Sequence, residues 1–185
     1  MSFTNISREK KKRFLAWWWL TLYVSLIFIS APYTLKLWNF WEKKIKINLT
    51  MVFSLFGVGL FFLLFYFLLK AKTQRLLEGG IILTGIFLGF ASLWLFFTRH
   101  PIERIHLFEY GFLSYLVFQA LKYKGSGKRN YLWGISIVIL IGVFDEIFQW
   151  FLPQRFGDIK DVFLNSFSGI FGFLIIALFD SEFSK

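Results

Sequence analysis

Residues 131–179 read YLWGISIVILIGVFDEIFQWFLPQRFGDIKDVFLNSFSGIFGFLIIALF. Two apolar runs, Tyr131–Leu152 and Val162–Phe179, flank a short charged turn. Each is about as long as a helix must be to cross a hydrocarbon core of ~30 Å. Asp145, Glu146 and Gln149 interrupt the first run. Arg155, Asp158, Lys160 and Asp161 fill the turn, and Asn165 interrupts the second run. A charged side chain at mid-membrane costs roughly 2.5–3.5 kcal/mol on insertion scales, so such groups pair or line a cavity. The stretch reads as two membrane helices with a polar cluster near one surface.

The rest of the chain has the same character. Of 185 residues, 57% are hydrophobic, 23% aromatic and only 17% charged, outside the range of a soluble domain. The net charge of +10 does not indicate a nucleic-acid partner. The basic residues sit between the apolar runs and at their ends, where they serve membrane orientation and contact with anionic headgroups. There is no cysteine, which excludes disulfides, thiolate metal sites and cysteine nucleophiles.

Further spans are expected at Phe14–Leu35, Leu49–Leu69, Gly79–Phe97 and Ile105–Leu121. The fold class is therefore all-α, a polytopic integral membrane protein of about six transmembrane helices. The basic start at 8–13 resembles a signal peptide, but Ile29-Ser30-Ala31-Pro32 is a poor cleavage site, so the first span is read as uncleaved. Trp17, Trp18 and Trp19 read as an interfacial aromatic belt, and 36–48 as an interfacial segment. Gly85 and Gly89 have the small-xxx-small spacing of close helix packing. His100, beside Pro101, reads as solvated. The Lys/Arg distribution favours cytoplasmic N- and C-termini, with the basic 36–48 segment running against that bias.

This orientation places the polar residues of three segments at similar depth on the outer side. His106 and Glu109 open the fourth span. Asp145, Glu146 and Gln149 lie near the end of the fifth, with Arg155, Asp158 and Asp161 in the outer turn. Asn165 is one turn into the sixth. At ~1.5 Å per residue, Asp145 is ~10 Å below Leu152, Glu109 ~6 Å below Ile105 and Asn165 ~6 Å below Asp161. Asp161, Asn165, Gly169 and Gly172 fall on one helical face, so the glycines continue the polar face inward as a packing surface. The candidate catalytic residues are His106, Glu109, Asp145 and Glu146, as acid/base groups or metal ligands. The candidate substrate-binding residues are Gln149, Arg155, Asp161 and Asn165, with Arg155 as an anion clamp. Carboxylates with one histidine suit an oxygen-preferring cation or zinc. There is no His-Glu-x-x-His, Gly-x-Ser-x-Gly or Walker-type element, and the sequence names no cofactor or metal.

The set Asp145-Glu146-x-x-Gln149, Arg155, Asp161-x-x-x-Asn165, Gly169 and Gly172, with His106-x-x-Glu109-Tyr110 and Leu113 upstream, resembles the VanZ-like family of small bacterial membrane proteins. The match runs from about Leu77 to Phe179. It implies a two-helix N-terminal extension, 1–76, before a four-helix VanZ-like domain, 77–185. The family's namesake is associated with low-level teicoplanin resistance without a resistant precursor being made. The resemblance thus implies a multi-pass protein of the bacterial plasma membrane. Its outward-facing pocket would bind or modify an envelope or lipid-linked component and affect glycopeptide sensitivity. The expected partners are membrane lipids and that component, with the oligomeric state left open. Two other readings compete: an ion- or proton-coupled transporter, and a non-catalytic structural or adaptor protein in which the polar cluster joins helices.

Overall fold

The computed structural model describes residues 3–70, 76–98, 103–124, 127–153 and 157–180. The described residues form six long helices and no strand. α1 is Phe3–Asn39, α2 Leu49–Lys70, α3 Leu76–Ser92, α4 Arg104–Leu121, α5 Lys128–Trp150 and α6 Ile159–Phe179. Five of them, α4 excepted, are long and apolar enough to cross a membrane. The chain is an all-α polytopic membrane protein.

The helix ends follow local chemistry. α1 runs through the first four residues of the expected interfacial segment and widens into a π-helical turn at Phe40–Ile45, closed by Lys46 in the left-handed region at φ 59°. Asn48 Oδ1 accepts from the Met51 N–H at 3.0 Å and starts α2. α3 also ends in a π-turn, Leu93–Phe97. Asp158 accepts from the Lys160 N–H at 2.9 Å, so α6 begins at Ile159 rather than near Val162. Asp161 is consequently in the first turn of a helix and not in the connecting turn. His100 and residues 125–126 lie outside the described residues.

α4, the one long helix short of the apolarity of a spanning segment, has the most protein around it, packing against α6, α5 and α1. Tyr110, Leu113, Ser114, Val117 and Ala120 on α4 are all fully buried. Polar groups in a membrane are tolerated where a helix faces protein rather than lipid, which is why this helix occupies the centre. α1 belongs to the same core through Leu20 and Ile27. α2 stands at the periphery, with Leu68 its one buried residue. Trp18 and Trp19 are exposed, as a belt requires, whereas Trp17 packs toward the core.

Glycine sets the spacing of the central helices. A Cβ on Gly172 would lie 2.8 Å from the Gly111 carbonyl oxygen and 2.8 Å from Ser114 Cβ. One on Gly169 would lie 2.5 Å from Val138 Cγ1. The Ser114 hydroxyl, in donor reach of both the Gly169 and Tyr110 carbonyls at 2.9 Å, ties α4 to α6 at this contact. The Gly85/Gly89 pair divides: Gly89 faces the Phe171 ring, and Gly85 has nothing within 4 Å. Sequence spacing put both on one packing face, but only Gly89 is at a helix contact.

Candidate functional site

At one end of the bundle α1, α2, α4 and α5 enclose a cavity of about 290 Å³. Its apolar wall comes from α1, the π-turn after it and α2, with Ile27, Trp38, Trp41 and Phe53 among the side chains. Its polar side is His106 and Glu109 from α4 with Asp145 and Gln149 from α5. Ser30 and Thr34 also line it, with their hydroxyls donated to carbonyls of their own helix, Ile27 at 3.0 Å and Ser30 at 2.9 Å. The Tyr23 hydroxyl donates to the Glu109 carbonyl at 3.2 Å and holds α1 against α4.

Adjacent positions on α5 point about 100° apart around the axis, so Asp145 and Glu146 meet different neighbours. Asp145 is 1% exposed and turns toward α4, where Tyr110 Oη donates to its Oδ2 at 3.1 Å. Glu146 turns toward α6. Its Oε2 accepts from the Asp158 backbone N–H at 3.1 Å. Its Oε1 is 3.4 Å from both Gln149 Nε2 and Asn165 Nδ2. Gly157 lets the turn fold against α5, since a Cβ there would collide with the Glu146 carbonyl oxygen. His106 joins the two halves of the cluster. Its Nδ1 is 3.5 Å from Glu109 Oε2, without hydrogen-bond geometry. Ligand-capable atoms of His106, Glu146 and Asp161 all lie within 4.8 Å of one another.

The structure thus brings His106, Glu109, Asp145, Glu146, Gln149, Asp161 and Asn165 into one neighbourhood built by α4, α5 and α6. Arg155 lies outside the described residues. Lys160 is turned away to Glu103, 2.9 Å from its Oε2. Arg104 is occupied by Thr98 Oγ1, at 3.1 Å, and by the Trp94 ring. Among the described residues, no lysine or arginine nitrogen is within ion-pairing distance of Asp145, Glu146 or Asp161. Several polar atoms here are buried and unpartnered: His106 Nδ1, Asp145 Oδ1, Asp161 Oδ1 and Asn165 Oδ1. Buried polar atoms are nearly always bonded, so this concentration of unbonded ones is unusual for the interior of a helical bundle.

Sequence reasoning missed the cavity wall on α1 and the role of Tyr110 as the partner of Asp145. The signal for the wall was present, because Ile27, Ala31, Thr34, Trp38 and Trp41 recur at helical spacing. An apolar stripe in an apolar helix does not announce whether it faces lipid or a cavity. Toward the other end of the bundle, Leu113, Val117, Val138 and Phe173 fill the space between α4, α5 and α6.

No curated protein and no solved structure matches the chain. Residues 14–180 match the VanZ/LLP1 family, so the match takes in α1 and α2 as well as the last four helices. With most of its length matched and with this helical membrane architecture, the chain belongs to the VanZ/LLP1 family.

Proposed function

We propose that this protein acts in the bacterial plasma membrane as an envelope protein whose polar pocket, opening to the outer leaflet, binds or modifies an amphiphilic, lipid-linked envelope component. In this reading both termini are cytoplasmic. The single observation that carries it is the two-sided cavity, with aromatic and aliphatic side chains on α1 and α2 opposite His106, Glu109, Asp145 and Gln149. Such a lining suits a ligand with an apolar chain at one end and a polar, hydrogen-bonding head at the other. The four helices of 77–185 carry the polar chemistry, and the first two, within 1–76, supply the wall against which the chain of the ligand lies. Glu109, Asp145 and Glu146 serve as acid/base groups beside His106. Gln149, Asp161 and Asn165 orient the head, and Arg155 clamps its anion. Altered glycopeptide sensitivity follows from acting on such a component. The filled interior between α4, α5 and α6 favours a pocket over a continuous transport path.

The test combines stability with phenotype. Glu109→Gln, Glu146→Gln and Arg155→Gln are purified in detergent and melted, and their teicoplanin sensitivity is read in cells. Normal melting with an altered phenotype supports a binding or reacting site. Lost melting together with lost phenotype makes the cluster helix-joining glue and rejects the proposal. Unchanged melting and phenotype in all three reject it as well.

A further inference from the structure

We propose that His106, Glu146 and Asp161 hold a divalent metal ion of the zinc–manganese class between α4, α5 and α6. Their ligand-capable atoms lie within 4.8 Å of one another. Two ligands on one ion at ~2.0–2.4 Å are at most ~4.8 Å apart, so the three atoms are close enough for small side-chain adjustments of about half an ångström to bring them onto a shared centre. The donors come from three different helices, so an ion here would fasten the core of the bundle.

Two further observations point to a cation. One is the set of empty acceptors. Asp161 Oδ1 and Asn165 Oδ1 are buried with no hydrogen-bond partner, and Asn165 is 0% exposed. The Asn165 amide is held beside the ligating carboxylate by Nδ2 at 3.4 Å from Glu146 Oε1. These acceptor atoms have lone pairs that no donor uses, and their desolvation is uncompensated unless an electrophile is present. The other is charge. Glu109, Asp145, Glu146 and Asp161 surround a single imidazole, and the nearby described cations are engaged elsewhere. Several carboxylates in a low-dielectric site need a counter-charge. A doubly charged ion meets that need in one place.

The donor set indicates the metal. One imidazole nitrogen with carboxylate oxygens, and no thiolate, suits zinc or manganese better than magnesium or calcium, which prefer oxygen alone. Glu109, 3.5 Å from His106 Nδ1, is placed to orient the imidazole as outer carboxylates do around metal-bound histidines. An ion with three protein ligands keeps open positions. His106 also lines the cavity, so those positions lie beside the polar side of the pocket, where the polar head of a ligand is expected. The inference thus deepens the pocket reading, but its test reads the metal directly and not the envelope phenotype, so either can fail alone.

The full chain is purified in detergent without chelators, and its metal content is measured by elemental mass spectrometry. It is then stripped with EDTA and reloaded with Zn²⁺ or Mn²⁺. The expected result is about one ion per chain, a lower melting temperature after stripping, and recovery on reloading. Asp161→Asn and His106→Gln are expected to bring the content close to none, while Glu103→Gln, an acid outside the triad, keeps it. Pulsed electron paramagnetic resonance on the Mn²⁺-loaded wild type needs no variant and should show coupling to one imidazole nitrogen. No bound ion in folded wild-type protein would overturn the proposal. So would stoichiometric metal that persists in both triad variants, or bound Mn²⁺ without nitrogen coupling.

Discussion

Replacing Gly172 with alanine tests whether the central helices are as close as the structure places them. The added Cβ would sit 2.8 Å from the Gly111 carbonyl oxygen and 2.8 Å from Ser114 Cβ. Ordinary contact begins about half an ångström further out, and a helix carbonyl cannot rotate away as a side-chain tip can. α4 and α6 must separate, which stretches the 2.9 Å bond from Ser114 Oγ to the Gly169 carbonyl. Overpacking of this kind costs about 1–3 kcal/mol. Alanine is also a better helix former than glycine by ~1 kcal/mol, so Gly172→Ala alone understates the clash. Gly85→Ala is the matched reference: it sits within a membrane helix, but its Cβ meets nothing within 4 Å. The difference between the two variants isolates packing and should be about 1–3 kcal/mol, or several degrees of melting temperature in one detergent. If Gly172→Ala melts as high as Gly85→Ala, the α4–α6 contact is wrong.

Other outcomes follow from the same geometry. Tyr110→Phe removes the hydroxyl that donates to buried Asp145 and should cost about 1–3 kcal/mol by detergent melting, while Tyr115→Phe, on the exposed side of α4, should cost nothing measurable. Trp38→Ala takes away a wall of the cavity; it should weaken retention of co-purifying lipid, seen by native mass spectrometry, more than it lowers melting, and an unchanged lipid profile would argue against an amphiphilic occupant. Lys160→Ala breaks a part-buried, charge-assisted hydrogen bond to Glu103 and should cost about 1.5–3 kcal/mol, so an unchanged melting temperature would show that the pair does not hold α6 in place.

Among the described residues, the buried carboxylates Asp145 and Glu146 meet neutral donors rather than lysine or arginine. Asparagine, glutamine and a backbone N–H take the free valences of Glu146, and tyrosine takes one of those of Asp145. These are neutral donors, which orient carboxylates without discharging them. Asp145 Oδ1, Asp161 Oδ1 and Asn165 Oδ1 are left without a hydrogen-bond partner.

The sequence by itself determined the class of the protein and the membership of its polar cluster. Run length and apolarity are one-dimensional quantities, and they suffice to identify spans because a bilayer imposes a fixed length on every helix. His106, Glu109, Asp145, Glu146 and Asn165 were legible for a related reason: a polar residue inside an apolar run has few reasons to be there. What the tertiary structure alone decided concerns rotation and lateral order. It turned Asp145 to Tyr110 and Glu146 to Asn165, placed α1 in the core and against the cavity, and put Gly89 at a ring while leaving Gly85 open. In lipid an apolar side chain is equally at home facing the bilayer or another helix. Hydrophobicity therefore says nothing about which way a membrane helix is turned, and that choice falls to close packing and to the few polar groups that must find one another.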